Sequence, residues 1–423
     1  MRPRLPSLPR PCRRLVAALL CAVSAPAAVA CAEPAPHLPR AVQALLPISG
    51  MAWPAPGAER SALTRHFGGI SGIDFDARSG RWWLLSDDRS EHAPARFYEA
   101  AITVGGLSTP RIDAVHTLRR ADGAPFAPFA PFAPFAPSAP FAPSSPAPAT
   151  PPGEPADGEA LRADPCSELL WWASEADPPR GFPATLHRSR RDGRHAGGIA
   201  LPPNLLPPKL PPLLSAPSLH EGTRGPRPNR SIEGLAFVPD GSAAWVALEA
   251  PLIEDGPLPT REAGALLRFT RLARDGRVQQ YAYPLEPLPR EGHGGQRRAD
   301  NGVSEILAVD AGTLLVIERA GHEIADNTFA FGIRVYLAEL AAADDVSAWP
   351  TLAGRRPTPM RKRLLLDLAE AAPALGLREI DNIEAAAWGP RLPDGRATLL
   401  LVSDDNFSPR QATQWLWFAV SER

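Results

Sequence analysis

The chain of 423 residues is 44% hydrophobic and 22% charged, a composition typical of a protein that buries a substantial core. Its 45 basic and 46 acidic side chains leave a formal charge of -1, so the sequence has no excess positive charge and argues against binding to DNA or RNA. Length alone allows two or three average domains or one large repeat domain.

The N-terminus predicts an export signal over residues 1–30. Arginines are concentrated before an apolar run from Leu15 to Val23, and the small-residue cleavage pattern Ala28-Val29-Ala30 follows that run. The run is shorter than the about 20 residues that span a bilayer, and no second candidate span follows it. We therefore expect a periplasmic or secreted protein whose mature chain has no transmembrane span.

Two cysteines remain once the signal is removed. Cys31 and Cys166 can pair in an oxidising compartment. Cys31 also follows a small residue directly, which permits lipoprotein cleavage and a lipid anchor, although Ala28 stands where such a motif usually has leucine. The sequence leaves both alternatives open.

Five segments share one pattern, in which a small or acidic cluster leads into an apolar strand, a turn and a second apolar strand that ends in an acidic residue. In chain order the first strands lie in Gly69–Phe75, Asp157–Leu161, Ser231–Leu235, Val303–Leu307 and Asn382–Ala386. Their partners are Trp82–Asp88, Leu169–Glu175, Ala244–Glu249, Leu314–Glu318 and Leu399–Asp405. A repeat of this length predicts a radial or stacked array rather than separate domains.

Third and fourth strands follow within most units. Asp-Gly or Ser-Gly turns separate them, and such turns are typical of β-hairpins. The sequence therefore predicts an all-β protein, a β-propeller of four-stranded antiparallel blades in one domain over residues 38–423. Five blades are visible and a degenerate sixth is allowed. The last unit lacks a fourth strand after Ala419, and the segment from Val42 to Ile48 can supply it and close the ring.

Two proline-rich stretches interrupt the pattern between units. Residues 121–156 repeat Ala-Pro-Phe, and residues 201–229 contain Leu-Pro-Pro repeats. Proline lacks an amide donor, so we expect these insertions to be polyproline II or disordered rather than strands.

Acidic residues recur at matching places in the units. A hairpin brings the start of one strand and the end of the next to the same edge, so these carboxylates should converge at the mouth of the central channel. Packed carboxylates repel one another and need cations, either calcium or nearby guanidinium groups. Arginines and asparagines stand close by in the sequence, namely Arg89, Arg230, Arg319, Asn301, Asn382 and Asn406. The alternative is an internal electrostatic clasp that only holds the blades together.

Several longer phrases resemble the phytase-like family, also described as "esterase-like activity of phytase". They are Phe67–Asp76, Leu85–Arg89, Ser231–Phe237, Ala247–Leu252 and Leu400–Phe407. The resemblance covers about residues 60–420 apart from the insertions. It implies ester or phosphoester hydrolysis, and β-propeller phytases, similar at a distance, hold phosphate and activate water with calcium in an acidic channel. Glu159 and Glu384 are each followed by alanine, where the family more often has glycine or serine.

The first hypothesis is a calcium-dependent hydrolase of a phosphate ester or other small ester, with calcium lowering the pKa of a water. The predicted catalytic residues are Glu233, Glu305, Glu384, Arg89 and Arg319. The predicted metal ligands are Asp87, Asp88, Glu159, Glu175, Glu249, Glu318, Asp404 and Asp405. The predicted substrate anchors are Arg230, Asn382 and Asn406.

Two other functions fit the same pattern. One is a non-catalytic propeller that binds a ligand or a protein, and the other is a lactonase, which differs from the first hypothesis only in substrate. Gly-x-Ser-x-Gly, His-Glu-x-x-His and Walker motifs are absent from the sequence, so serine-esterase, zinc-protease and nucleotide-phosphate chemistry are not indicated.

Overall fold

The fold is taken from a computed structural model that describes residues 30–31, 33–54, 59–105, 108–128, 154–175, 182–206, 224–289, 298–325 and 328–422. The predicted export signal and the central parts of both proline-rich insertions lie outside these residues. Within them, no helix has the length and apolar character needed to cross a membrane.

Within the described residues, twenty strands form five four-stranded antiparallel sheets. The first sheet contains β2 (Ile70–Asp76), β3 (Arg81–Ser86), β4 (Arg96–Ala101) and β5 (Arg111–Thr117). The second contains β6 (Gly158–Ala163), β7 (Leu170–Ser174), β8 (Thr185–Ser189) and β9 (His195–Ile199). The third contains β10 (Ile232–Phe237), β11 (Ala243–Leu248), β12 (Ala265–Ala273) and β13 (Val278–Leu285).

The fourth sheet contains β14 (Ala299–Ala308), β15 (Thr313–Ala325), β16 (Thr328–Glu339) and β17 (Arg361–Asp367). The fifth contains β18 (Ile383–Gly389), β19 (Thr398–Ser403), β20 (Gln414–Ser421) and, outermost, β1 (Ala44–Ala52). In the connections that the structure describes lie one short α-helix, α1 (Leu368–Ala371), and three 3-10 turns (Pro203–Leu205, Ile253–Asp255 and Ala372–Leu375).

The ring is closed by a strand from the N-terminal region. Strand β1 pairs antiparallel with β20, so the first and last parts of the described chain share one sheet. This confirms the predicted closure, although the strand is Ala44–Ala52 rather than Val42–Ile48. The described chain forms five blades, and the sixth that the sequence allowed is not among them.

The first strand of each sheet faces the centre. Strands β2, β6, β10, β14 and β18 each contact the next around a closed circle. Small residues permit this approach, since a Cβ on Gly72 would lie 2.8 Å from the Leu161 amide nitrogen and one on Gly234 would lie 2.9 Å from an Ile306 side-chain carbon. The alanines after Glu159 and Glu384 occupy the same place, so the fold tolerates both departures from the family pattern.

Aromatic side chains fill the spaces between the blades. Trp82 of the first blade meets Trp417 of the fifth edge to face, with ring centroids 5.7 Å apart, and Trp171 of the second blade meets Phe237 of the third at 4.9 Å. All three tryptophans are buried. The paired tryptophans of the sequence therefore serve packing between blades, as their alternation along the strands requires.

The chain before β1 crosses one face of the propeller. A disulfide joins Cys31 to Cys166, which follows β6, with 5.5 Å between the Cα atoms. The disulfide uses the sulfur that a lipid anchor at Cys31 would need. The described ends of the first insertion also pack on the propeller, because Phe126 is buried against Trp172.

Candidate metal and active site at the channel mouth

The inner strand of every blade carries a β-bulge at the same place, near the end that opens at one mouth of the channel. In each case one residue of the inner strand has no partner in the register with the second strand. The bulged residues are Ser71, Glu159, Glu233, Ser304 and Glu384. A bulge redirects one side chain locally, and its repetition explains how three glutamates and two serines come to face one space.

A second set of equivalent residues follows the second strand in four blades and, in the fourth blade, lies within the longer β15. Its members are Asp87, Glu175, Glu249, Arg319 and Asp404. The four acids each donate their backbone N–H, at 2.8 Å, to a carbonyl oxygen just before the inner strand of their own blade. Arg319 pairs with Gly302 at the corresponding place. The fourth blade thus presents a cation where the other four blades present an acid.

Arg319 links three blades. Its guanidinium donates to Oε1 of Glu249 at 2.9 Å and to Oδ1 of Asn382 at 2.7 Å, and lies 3.3 Å from Oε1 of Glu384. Glu384 in turn accepts a hydrogen bond from the Ser71 hydroxyl at 3.0 Å. These contacts are the arginine clasp that the sequence left as an alternative, and they cover one side of the mouth.

Arg89 occupies the other side. Its Nε lies 2.9 Å from a carboxylate oxygen of Asp157 in the second blade, and it donates to the Asn229 side chain at 2.8 Å. About a third of its side chain is exposed, compared with 16% for Arg319, so Arg89 reaches both the cluster and the solvent.

Carboxylates outnumber cations between these two arginines. Asp157, Glu159 and Glu175 each offer an oxygen within 4.8 Å of the others, and all three side chains are buried. Close to them, Oδ1 of Asp87 is buried without a hydrogen-bond partner in the described part of the chain. We call Asp87, Asp157, Glu159 and Glu175 the acidic cluster.

The electrostatics of the cluster follow from this crowding. Burial raises the pKa of Glu159 well above its usual range, and the charges of Glu233 and Asp157 raise it further. Burial is also the main cause of the raised pKa of Asp87, Glu175, Glu233 and Asp404, with neighbouring carboxylates adding to it. At neutral pH the site must therefore hold protons or take up a cation.

The residues fit a hard divalent cation. Calcium takes oxygen ligands in flexible geometry, and the acidic cluster offers several carboxylate oxygens together with one buried oxygen that has no hydrogen-bond donor among the described residues. Histidine and cysteine ligands of the kind preferred by zinc are absent from this group, so the donor set favours calcium over zinc.

Three residues of the predicted set lie outside the mouth. Asp88 points into its own loop, where it pairs with buried Arg96 at 2.6 Å and accepts backbone N–H groups. Glu318 points between blades, bonded to Lys362 and to the Tyr283 hydroxyl at 2.7 Å. Exposed Asn406 lies in the turn after β19, with its backbone N–H bonded to Asp404.

Glu305 lies deeper in the channel. It pairs with Arg162 of the second blade at 2.7 Å and accepts the backbone N–H of Ile306. Arg162 also donates to the Ile73 carbonyl of the first blade. This buried pair joins the blades below the acidic cluster.

Two further predicted residues lie near the mouth. Asp405 lies next to the acidic cluster but accepts a hydrogen bond from the Gly69 backbone N–H at 2.9 Å, and Arg230 lies 3.6 Å from Asp300.

Two residues of the site were not predicted from the sequence, namely Asp157 as a ligand candidate and Arg162 as the partner of Glu305. Asp157 stands immediately before β6, where the equivalent residues of the other blades are Gly69, Ser231, Asn382 and, within β14, Gly302, so comparison of the repeats at this position contains the signal. Arg162 has no equivalent signal, because its contacts depend on how three inner strands converge.

No curated protein matches the chain. Among solved structures, it is similar to an oxidoreductase of Thermus thermophilus described as a glucose dehydrogenase, with 12% identity over 90% of this chain and 98% of that chain and a TM-score of 0.34. It is also similar to the WD40 repeats of RRP9, with 9% identity over 90% and 99% and a TM-score of 0.35. Likenesses this weak carry no functional argument.

A family model gives a direct assignment. The model described as "Phytase-like: Esterase-like activity of phytase" matches residues 65–407, which include strands of every blade and every residue of the acidic cluster. Taken with the five-bladed ring, this match shows that the chain belongs to the phytase-like family.

Proposed function

We propose that the protein is an exported, calcium-dependent hydrolase of a phosphate ester or another small ester, acting at the acidic mouth of the channel. The observation that carries the proposal is the acidic cluster, in which three buried carboxylates lie within 4.8 Å of one another, beside an oxygen of Asp87 that has no hydrogen-bond partner in the described part of the chain. Membership of the phytase-like family supports ester chemistry.

Asp87, Asp157, Glu159 and Glu175 would hold the metal. Bound calcium would lower the pKa of a water and neutralise charge on the leaving oxygen. The protein supplies positioning, because the repeated bulges and the backbone hydrogen bonds at the strand ends fix these side chains on rigid elements.

Glu233 is the residue best placed to carry a proton. Its side chain is buried, its charge raises the pKa of Glu159, and burial raises its own pKa well above the usual range. A carboxyl group of this kind can give a proton to a leaving group or take one from water near neutral pH. Glu384 is less free, since the clasp and Ser71 hold both of its oxygens.

Arg89 is the expected anchor for an anionic substrate. It is partly exposed and lies beside the acidic cluster, and a guanidinium can bind phosphate or carboxylate oxygens in a bidentate manner. Arg319 is more buried and is engaged by three acceptors of the clasp, so we assign it to holding the blades.

The clasp itself favours a second candidate, a propeller that binds a ligand or protein without turnover. Arg319 and Arg89 already join blades across the mouth, and these contacts alone would neutralise part of the negative charge of its carboxylates. A lactonase would use the same residues as the ester hydrolase on a different substrate.

Export forms part of the proposal. Disulfides persist in oxidising compartments, so the bond between Cys31 and Cys166 supports a periplasmic or secreted location. Cell fractionation of the full-length chain tests it, and retention of the uncleaved protein in the cytoplasm would contradict it.

The deciding experiment is hydrolysis of p-nitrophenyl phosphate, p-nitrophenyl acetate and a simple lactone by the purified mature protein. We expect turnover of at least one substrate with calcium, loss of turnover in chelator and recovery when calcium is restored. Glu233→Gln should lower the rate by about 100-fold or more, whereas Glu318→Gln, a buried glutamate outside the mouth, should retain it. Turnover that chelator does not affect would contradict the metal, and no turnover of any substrate would favour the binding propeller.

A further inference from the structure

A second cavity lies at the opposite end of the channel from the acidic cluster. Its volume is about 170 Å³, and residues at the far ends of all five inner strands line it. The walls include Phe75, Phe237 and Trp388, and the floor includes Arg162. An engineered cavity of about 150 Å³ in another protein binds benzene, so this one has room for a ring-sized molecule.

The N-terminal segment roofs this cavity. Ala35, His37 and Leu38 line it from above, and Arg391 fixes the segment by donating to the carbonyl oxygens of Pro36 and Leu38 at 2.7 and 2.6 Å. The disulfide at Cys31 ties down the start of the same segment. The site therefore has a built roof rather than an open surface.

One partly buried carboxylate in the lining has no ionic partner among the described residues. Among the described residues no ion pair involves Asp74, whose Oδ2 accepts the Ala163 backbone N–H at 2.8 Å. The other buried charged groups of the lining are matched, since Asp76 pairs with Arg78 at 3.2 Å and Arg162 pairs with Glu305. Arg162 lowers the pKa of Asp74 but is already paired with Glu305, so the inner wall carries one net negative charge among aromatic rings.

The lining also contains a buried polar atom that has no hydrogen-bond partner among the described residues. Nδ1 of His37 is buried and has no hydrogen-bond partner in the described ranges, although the ring packs edge to face on Phe75. Burial lowers the pKa of His37 to about 4, so the ring is neutral at neutral pH and adds no positive charge. Burial raises the pKa of Asp74 to about 6, which leaves it ionised at pH 8.

The buried pair of Arg162 and Glu305 lies between this cavity and the acidic cluster. Arg162 reaches backbone carbonyls of both the first and the fourth blade, so the inner strands are tied together across the channel. A molecule in the cavity does not reach the calcium candidate, and this inference does not depend on the proposed function.

We propose that the cavity is a binding site for a small organic ammonium ion with a ring-sized apolar body. The Asp74 carboxylate faces the ammonium group, His37 supplies a further hydrogen-bond partner, and the rings of Phe75, Phe237 and Trp388 enclose the apolar part. Aromatic faces attract cations in addition to packing against apolar groups. The site differs in location, charge and ligand class from the mouth.

Benzylamine is a suitable probe, with benzyl alcohol as a neutral molecule of the same shape. At pH 8 we expect saturable binding of one benzylamine per chain by calorimetry, and at least about tenfold weaker binding of benzyl alcohol. Asp74→Asn keeps an acceptor for the Ala163 N–H but removes the charge, so it should abolish the preference for the amine. Nuclear Overhauser contacts between the benzyl ring and the Trp388 indole should place the probe in wild-type protein without relying on a variant.

The acidic mouth also attracts cations, and Glu159→Gln is the control for that site. Benzylamine affinity that survives Glu159→Gln but falls with Asp74→Asn supports the cavity. Affinity that falls with Glu159→Gln and not with Asp74→Asn would overturn the proposal, as would equal binding of amine and alcohol or an absence of saturable binding.

Discussion

Replacing Arg319 with glutamine removes the one cation that ties the third, fourth and fifth blades together at the mouth, as far as the described residues show. The side chains of Arg319, Glu249 and Glu384 are 16%, 6% and 12% exposed, so the contacts at 2.9 and 3.3 Å are largely shielded from water. Breaking a buried ion pair by removing one partner costs about 3–5 kcal/mol, because the remaining charge stays buried. We expect Arg319→Gln to lower the free energy of unfolding by that amount.

Urea denaturation in chelator at pH 7.5 measures this loss. The matched control is Arg361→Gln, since Arg361 pairs with Glu339 at 2.7 Å on the surface, with side chains 78% and 39% exposed. An exposed pair contributes about 0–1 kcal/mol, so the control should be close to wild type. A loss for Arg319→Gln no larger than that of the control would refute the clasp.

In chelator, the stability of the folded state should fall as pH rises above about 4.5. Burial raises the pKa of Glu159, Glu175 and Glu233 above their unfolded values, so the folded state favours the protonated forms. Thermal melts at several pH values with and without calcium check this, and a melting temperature in chelator that does not change with pH would contradict it. Gly69→Ala should weaken calcium binding, because its Cβ would lie 2.0 Å from Oδ1 of Asp87 at a φ of +63; unchanged affinity in calorimetry would mean that Asp87 is not a ligand. Cys166→Ser should lower the free energy of unfolding by about 2–5 kcal/mol, because it opens a loop that spans 135 residues. Wild-type protein treated with reductant should unfold at the same midpoint as the variant. If the reduced and oxidised wild-type proteins have the same midpoint, that result argues against the bond.

The architecture was largely predictable from the sequence, since it depends on local signals. Each hairpin has its own turn residues and apolar alternation, and the missing fourth strand after Ala419 pointed to closure by the N-terminal region. The fold and the strand that closes it were confirmed. The convergence of acids at one mouth followed from hairpin geometry in the same way.

The site was less predictable because the acids of the fourth blade do not stand at the positions that carry acids in the third blade. The sequence comparison aligned Glu305 with Glu233, whereas the structure places Ser304 at the bulge and moves Glu305 one residue further along. In the second strand Glu318 stands one residue before the position of Glu249, and Arg319 occupies that position at the mouth. Alignment on the apolar residue before the bulge, Ile232 in the third blade and Val303 in the fourth, would have found the correct register.

Calcium titration of the purified mature protein by calorimetry tests the central claim most directly, with Glu159→Gln and Glu318→Gln as matched variants. The account predicts saturable calcium binding that releases protons, since the ligands have raised pKa values. Glu159→Gln should abolish this binding, and Glu318→Gln should retain it. No calcium binding by the wild type, or equal binding by both variants, would contradict a metal site in the acidic cluster. The arginine clasp would then be left as the source of positive charge that balances the carboxylates.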